Sequence, residues 1–318
     1  MFRFLIQGVA CAVAVCASTW AAQPMTGDLF VHDPSTILKL GSNYFLFNTG
    51  MGIATKSSSN RVHWTRGSPV FNAPPAWTTN TVPSFRGHFW APDVIQLNGQ
   101  YYLYYSVSTF GKQVSAIGLA TSPTLDPAAP NYHWTDHGAV IQSTNGSPFN
   151  AIDPALFRDR DGKIWMAFGS FWRGIYLVEL DSRTGKRVAP DSPFRRVAYH
   201  RDIEAAALHQ REDRYYLFVN WGLCCRGTNS TYEVRVGRSK TITGPYLDRD
   251  GHDLVNGGGT LFLKTEGADF GPGHIAVLND DGREFISCHV YDATLRGRSQ
   301  LRLRALQWSE DGWPAAVQ

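Results

Sequence analysis

Three carboxylates and a histidine recur at one place in a repeated pattern. Asp33, Asp153, Glu204 and His274 each open a stretch that reads as a β-hairpin, and Ala91 opens a fifth. The stretches are Asp33–Gly50, Ala91–Ser108, Asp153–Ser170, Glu204–Trp221 and His274–Val290. Aligned on their turns, they place these five residues in one equivalent slot. An isolated carboxylate is costly to desolvate, so several in one converging slot imply a task. Paired carboxylates across a cleft hydrolyse glycosidic bonds, one protonated to donate to the leaving oxygen and one ionised. A third acid nearby raises the donor's pKa, because like charges disfavour joint ionisation.

The elements that must hold these groups are legible in Asp153–Ser170. An acid and a proline lead into an apolar strand, Asp161-Gly162 marks the turn, and an aromatic-rich strand returns. Gly accepts the positive φ that tight turns demand. The five slots lie roughly 50–70 residues apart, which suits a radial array of four-stranded blades. His63-Trp64-Thr65 and His133-Trp134-Thr135 fall at the fourth-strand position of successive units. The expected architecture is all-β, a five-bladed β-propeller spanning residues 22–318. Its first strands line a central channel, so residues distant in sequence meet at one mouth of it. Asp93, two residues after Ala91, reads as a structural or supporting group.

Composition agrees with a globular protein: 318 residues, 43% hydrophobic, 18% charged, with 30 Gly and 17 Pro for many turns. A net charge of +3 points to no nucleic acid or acidic membrane as partner and leaves a neutral polymer as an easy fit. Residues 1–21 read as a cleavable signal peptide, with Arg3, an apolar Phe4–Ala17 run and small residues at Thr19 and Ala21. The expected location is therefore secreted or periplasmic. Of the five cysteines, Cys224, Cys225 and Cys288 remain after cleavage. An oxidising compartment permits a Cys224–Cys225 bridge, while Cys288 reads as a buried apolar residue.

The ordered motifs carry a resemblance. Val31-His32-Asp33-Pro34, Phe89-Trp90-Ala91-Pro92-Asp93, Asn150-Ala151-Ile152-Asp153-Pro154, Phe168-Gly169-Ser170-Phe171-Trp172 and Glu204-Ala205 occur in sequence. Asn220-Trp221-Gly222-Leu223-Cys224-Cys225-Arg226-Gly227 and Gly271-Pro272-Gly273-His274 complete them. Together they resemble glycoside hydrolase family 43, and closely its arabinanases, which are five-bladed propellers. The resemblance implies an inverting mechanism with Asp33 as general base, Glu204 as general acid and Asp153 tuning and orienting the acid. The two reacting carboxylates would then lie about 6.5–9.5 Å apart. It also implies a calcium ion held on the axis by His274 and water, although imidazole is an unusual sole ligand for a hard cation.

For the sugar, Trp90, Phe110, Trp172 and Trp221 lie at strand ends or following loops and offer aromatic platforms. The resemblance adds His32, Gly118, Asn150, Ala151, Ile152, Phe168, Gly169 and Ser170, with Gly118 and Ala151 acting through backbone groups. The resulting expectation is a monomeric, exported endo-acting hydrolase of α-1,5-linked arabinan or arabino-oligosaccharides. An exo-acting α-L-arabinofuranosidase or β-xylosidase on the same fold, or a non-catalytic sugar-binding propeller, is the alternative. No long insertion in the first blade and no appended β-sandwich favour the open groove, although the loops Phe71–His88 and Gly111–Ser115 border it.

Overall fold

Short alternating strands joined by tight turns build five sheets, arranged as a five-bladed β-propeller in a computed structural model that describes residues 24–317. The expected signal peptide lies outside the described residues. Blade one comprises Leu38–Leu40, Asn43–Asn48, Ala54–Ser58 and His63–Arg66, with Thr26–Gly27 running parallel along its outer edge. Blade two is His88–Leu97, Gln100–Val107, Ser115–Ser122 and Thr135–Ser143, joined by the short Gly50–Met51. Blade three is Ala155–Arg158, Ile164–Phe168, Ile175–Leu180 and Arg195–Ala198. Blade four is Ile203–Arg211, Arg214–Trp221, Glu233–Ser239 and Thr260–Leu263, and blade five is Asp269–Asp280, Arg283–Asp292, Arg298–Trp308 and Pro314–Val317.

The turns follow local chemistry. Asn98-Gly99 and Asp281-Gly282 both take two left-handed residues (φ 51° and 75°, 52° and 76°), the hairpin geometry that matches strand twist. The Asp161-Gly162 hairpin is wider than expected. The Asp159 N–H bonds the Lys163 carbonyl at 2.8 Å, and only Gly162 is left-handed (φ 77°). The Tyr215 hydroxyl of the next blade donates to the Asp159 carboxylate at the base of this loop.

Alternation along each strand puts one face against each neighbouring blade, so five apolar clusters form. Fully buried side chains such as Trp64, Tyr104, Phe168 and Phe218 each contribute about 1.5–3 kcal/mol by leaving water. Blade five consists of four consecutive strands and shares none with blade one, so the ring closes through side chains and the Leu301 N–H, which bonds the Leu29 carbonyl at 2.8 Å. Val31, Ile37, Tyr44, Leu46, Trp64, Leu278 and Leu301 form the apolar seam. Buried Asp280 is its polar counterpart, taking Lys39 and the Tyr44 hydroxyl at 2.8 Å each and Arg61 at 3.1 Å.

Candidate active site

Once per blade, within the innermost strand or just ahead of it, the backbone turns left-handed. It does so at Asp33, Ala91, Asp153, Ala205 and His274, with φ of 51°, 41°, 58°, 52° and 53°. L-residues adopt this region at a cost of order 1 kcal/mol each, so the repetition marks a maintained feature. Four of these lead residues are the expected ones. In blade four the slot belongs to Ala205, and Glu204 precedes it. Across the strand pair Glu204 faces Asn220, as Trp90 faces Ser106 and Gly273 faces His289, and an irregularity follows each pair. Such bulges re-aim a side chain relative to its neighbours, and since all three blades share one, Glu204 holds the position of Trp90 and Gly273, one residue ahead of the slot.

Asp33 sits among imidazoles. Its Oδ2 accepts from the Thr49 hydroxyl at 2.6 Å and lies 2.8 Å from His32 Nδ1. Its Oδ1 lies 3.5 Å from His274 Nδ1 and 3.6 Å from His289 Nδ1. Burial pushes the Asp33 pKa up, but His32 and His274 outweigh it and hold the carboxyl well below its usual range. Burial opposes charge on His274 too, yet the bond to Asp33 raises it to about 9. Buried His289 is driven the other way, first by desolvation and then by His32, and stays neutral. Its Nδ1 accepts the Asp33 N–H at 3.1 Å, so its proton resides on Nε2, a buried atom without a partner.

The other two acids share the opposite condition. Burial and then the charge of Glu204 push Asp153 up to about 8. Burial also raises Glu204, against the stabilising bonds it accepts from Ser170 (2.6 Å) and Tyr232. Asp153 Oδ2 accepts the Ala205 N–H at 3.3 Å, which ties the two acids together through the backbone. The Tyr232 hydroxyl is raised well above its ordinary value, by burial and by Glu204, and so remains a donor. The site thus holds one ionised carboxylate and a neighbouring pair that retains a proton near neutrality.

Among the other expected contacts, Ser170 reaches the site, but it grips Glu204. His32 is engaged on both nitrogens, by Asp33 and by the Tyr291 hydroxyl (2.8 Å), and stacks on His289 at 4.1 Å. Trp90 is half-buried immediately before Ala91, its indole N–H on His88 at 3.1 Å. Phe110 and Trp172 are exposed in loops, by 77% and 39%. Asn150 is buried with its Oδ1 accepting from Ser115 at 2.7 Å, and Ile152 is buried directly before Asp153.

Four expected contacts are already engaged within the protein. Ala151 spends its N–H on Ser143 (2.9 Å) and packs in the core. Phe168 is wholly buried against Phe149 and Phe194, so its ring is no platform. At Gly118 a Cβ would meet the Tyr105 ring at 2.5 Å, so its smallness serves blade packing. Trp221 stacks on His200 at 4.1 Å and lies beneath the Arg235 guanidinium, so its ring is already occupied. Gly169 is also a backbone requirement, with φ of 126° and Gly174 O 2.5 Å from where a Cβ would stand.

Thr49, Tyr232, His289 and Tyr291 are site residues that sequence reasoning missed. Only Tyr232 carried a usable signal, as an aromatic hydroxyl just ahead of blade four's third strand. Cys224 and Cys225 are bridged, and Cys288 is free and buried. The Cys225 N–H donates to the Tyr291 hydroxyl at 2.7 Å, and its Sγ lies 3.8 Å from His32 Nε2, so the bridge stands beside the histidine that bonds Asp33.

Beneath the acids, His274 and Asp93 line an axial channel of about 180 Å³. Asp93 is structural, accepting the Thr36 N–H at 2.9 Å and the Leu156 N–H at 2.7 Å and so tying three innermost strands together. Among the described residues no cluster of three close metal-binding groups includes His274. One imidazole at a cavity with room for several waters would hold a cation only loosely and largely hydrated, and only once His274 gives up its proton.

Comparison with known proteins agrees with this geometry. The chain is 42% identical over 297 residues to the extracellular exo-alpha-(1->5)-L-arabinofuranosidase of Cellvibrio japonicus, covering 89% of this chain and 85% of that protein. It is 40% identical over 307 residues to the extracellular endo-alpha-(1->5)-L-arabinanase 1 of Bacillus subtilis, covering 94% and 90%. The solved Cellvibrio cellulosa alpha-L-arabinanase complexed with arabinohexaose superposes with a TM-score of 0.87 at 41% identity, covering 91% of this chain and 95% of that one. Residues 26–314 match the description Glycosyl hydrolases family 43, and the chain belongs to that family.

Proposed function

We propose that the protein hydrolyses α-1,5-linked L-arabinofuranosyl bonds in arabinan with inversion of configuration. The observation that carries this reading is the ionisation contrast around one axis. Asp33 is held ionised by imidazoles, while the Asp153–Glu204 pair retains a proton, both members raised first by burial, Asp153 further by the Glu204 charge and Glu204 further by that of Asp33. Asp33 takes a proton from water as that water attacks the anomeric carbon. Glu204 gives its proton to the departing oxygen, and Asp153 keeps Glu204 protonated and fixes its strand. Trp90 and Trp172 supply apolar faces for sugar rings. A hydrated calcium ion beside His274 would add positive charge near Asp33 when bound.

We read the enzyme as an exported, monomeric endo-arabinanase. Both relatives above are named as extracellular, and the cysteine bridge suits an oxidising compartment. N-terminal sequencing of protein recovered outside the cytoplasm tests export, with Ala22 as the expected first residue.

The exo reading also has specific support. One relative is named for exo action. The 67–87 connection folds into the helix Ala76–Thr81 and, through Ser84, meets Thr109 beside Phe110 at 2.5 Å, which is where one end of a groove could be closed. A product time course on linear arabinan and on a short chromogenic arabinofuranoside separates the two. Early mixed oligosaccharides from the polymer are expected; preferential cleavage of the small substrate would overturn endo action.

A further inference from the structure

Each left-handed lead residue has its N–H held by a side chain. Asp33 is held by His289 Nδ1 (3.1 Å), Ala91 by Thr49 Oγ1 (2.8 Å), Asp153 by Ser106 Oγ (3.0 Å) and His274 by Asn220 Oδ1 (2.9 Å). The four acceptors are chemically unlike, yet they occupy one position. Each stands at the end of the second strand of the preceding blade, opposite the residue before that blade's own lead residue. Ser106 faces Trp90, Asn220 faces Glu204 and His289 faces Gly273, while the Thr49 N–H bonds the His32 carbonyl at 3.0 Å. Blade three has Gly169 there, its N–H on the Ile152 carbonyl at 2.9 Å. With no side chain at that position, the clasp on Ala205 comes from Asp153 Oδ2.

We propose that this ring of five acceptors is the positioning device of the active site, and that Thr49 and His289 are the positioning residues for Asp33. The inference rests on Asp33 acting as the base. Removing an acceptor leaves a lead N–H inside the protein without a partner and frees a strained backbone to relax. Thr49 is the most constrained member, because its hydroxyl gives its one proton to Asp33 Oδ2 while its lone pair takes the Ala91 N–H. Its loss therefore disturbs the base both directly and through the neighbouring blade. Misplacing a carboxylate that acts on water should lower kcat and leave substrate affinity nearly unchanged.

The test compares Thr49→Val, which keeps shape and removes the hydroxyl, with Thr49→Ser, which keeps the hydroxyl. His289→Leu is set against His289→Asn, which installs the group that Asn220 presents one blade earlier. Kinetics on linear arabinan and thermal unfolding are measured for each, with Asp33→Asn as the control. Thr49→Val should lose on the order of tenfold in kcat with KM nearly unchanged, while Thr49→Ser retains most of kcat at similar Tm. His289→Asn should exceed His289→Leu. Equal kcat for the valine and serine variants, or losses that follow Tm regardless of the acceptor, would overturn the ring. Turnover surviving in Asp33→Asn would instead overturn the base assignment, so the two failures are distinct.

Discussion

Asp153 accepts the backbone N–H of Ala205 at 3.3 Å, one residue beyond Glu204. The second acid therefore cannot shift without the strand that carries the first. Its charge and its hydrogen bond act on the same neighbour.

This coupling sets the alkaline side of the pH–rate profile. On the proposed reading the donor must be protonated, and the pair gives up its last proton late because two adjacent buried carboxyls resist joint ionisation. Asp153→Asn retains a side-chain acceptor for Ala205 but leaves Glu204 to titrate without a second carboxyl beside it. The alkaline limb of kcat/KM against pH should move to lower pH, and an unmoved limb would refute the modulator role.

The two reacting groups should behave as a pair. Asp33→Asn and Glu204→Gln are each expected to cut kcat by roughly 10²–10⁴-fold, with Tm within a few degrees of the parent. Near-normal turnover in either variant on arabinan would contradict the assignment.

Asp153 should also tie stability to pH in an unusual direction. Its pKa is raised from 3.8 unfolded to about 8 folded. Its stabilising contribution is therefore complete below the unfolded value and is lost as pH rises through the folded one. Asp153→Asn should unfold at a higher temperature than the parent at pH 8, with the gap closing towards pH 4. A pH-independent difference in scanning calorimetry would argue against the raised value.

Ring closure can be weakened without touching the site. Asp280→Asn removes the charge on which Lys39, Tyr44 and Arg61 converge, and should lower Tm by roughly 5 °C with kcat preserved. The Asp280 pKa is depressed: burial raises it, but the Lys39 and Tyr44 bonds outweigh that. The parent's advantage should therefore disappear as pH falls below about 4.

If a cation beside His274 assists Asp33, exhaustive chelation should lower activity and added calcium should restore it. Activity unchanged by chelation, with metal content shown to be negligible, would leave the raised His274 imidazolium as the positive charge at the base.

Five hairpins, their turns and the convergence of their first residues were readable because each depends on neighbours in sequence. Asn98-Gly99 and Asp281-Gly282 declare their turns by composition alone. The place of Glu204, one residue ahead of the slot, was hidden, because the slot is defined by backbone conformation and by pairing across strands. Trp221 reads as a platform from its type and place, and only the fold shows His200 and Arg235 against its ring. Those contacts come from other strands and loops, and residue type carries no mark of them. Thr49 and His289 were missed for the same reason, since their partners lie in the adjoining blade.

The vacancy at Gly169 has a consequence for symmetry. Five identical blades would present five identical groups to the axis, and equivalent carboxylates cannot be sorted into a proton donor and a proton acceptor. The chain escapes that degeneracy because its five lead residues differ, two carboxylates, two alanines and a histidine, and because the missing side chain at Gly169 leaves Asp153 to clasp Ala205 beside Glu204. A hydrolase assembled by fusing copies of one consensus blade would have to vary its lead residues before its acids could take different roles.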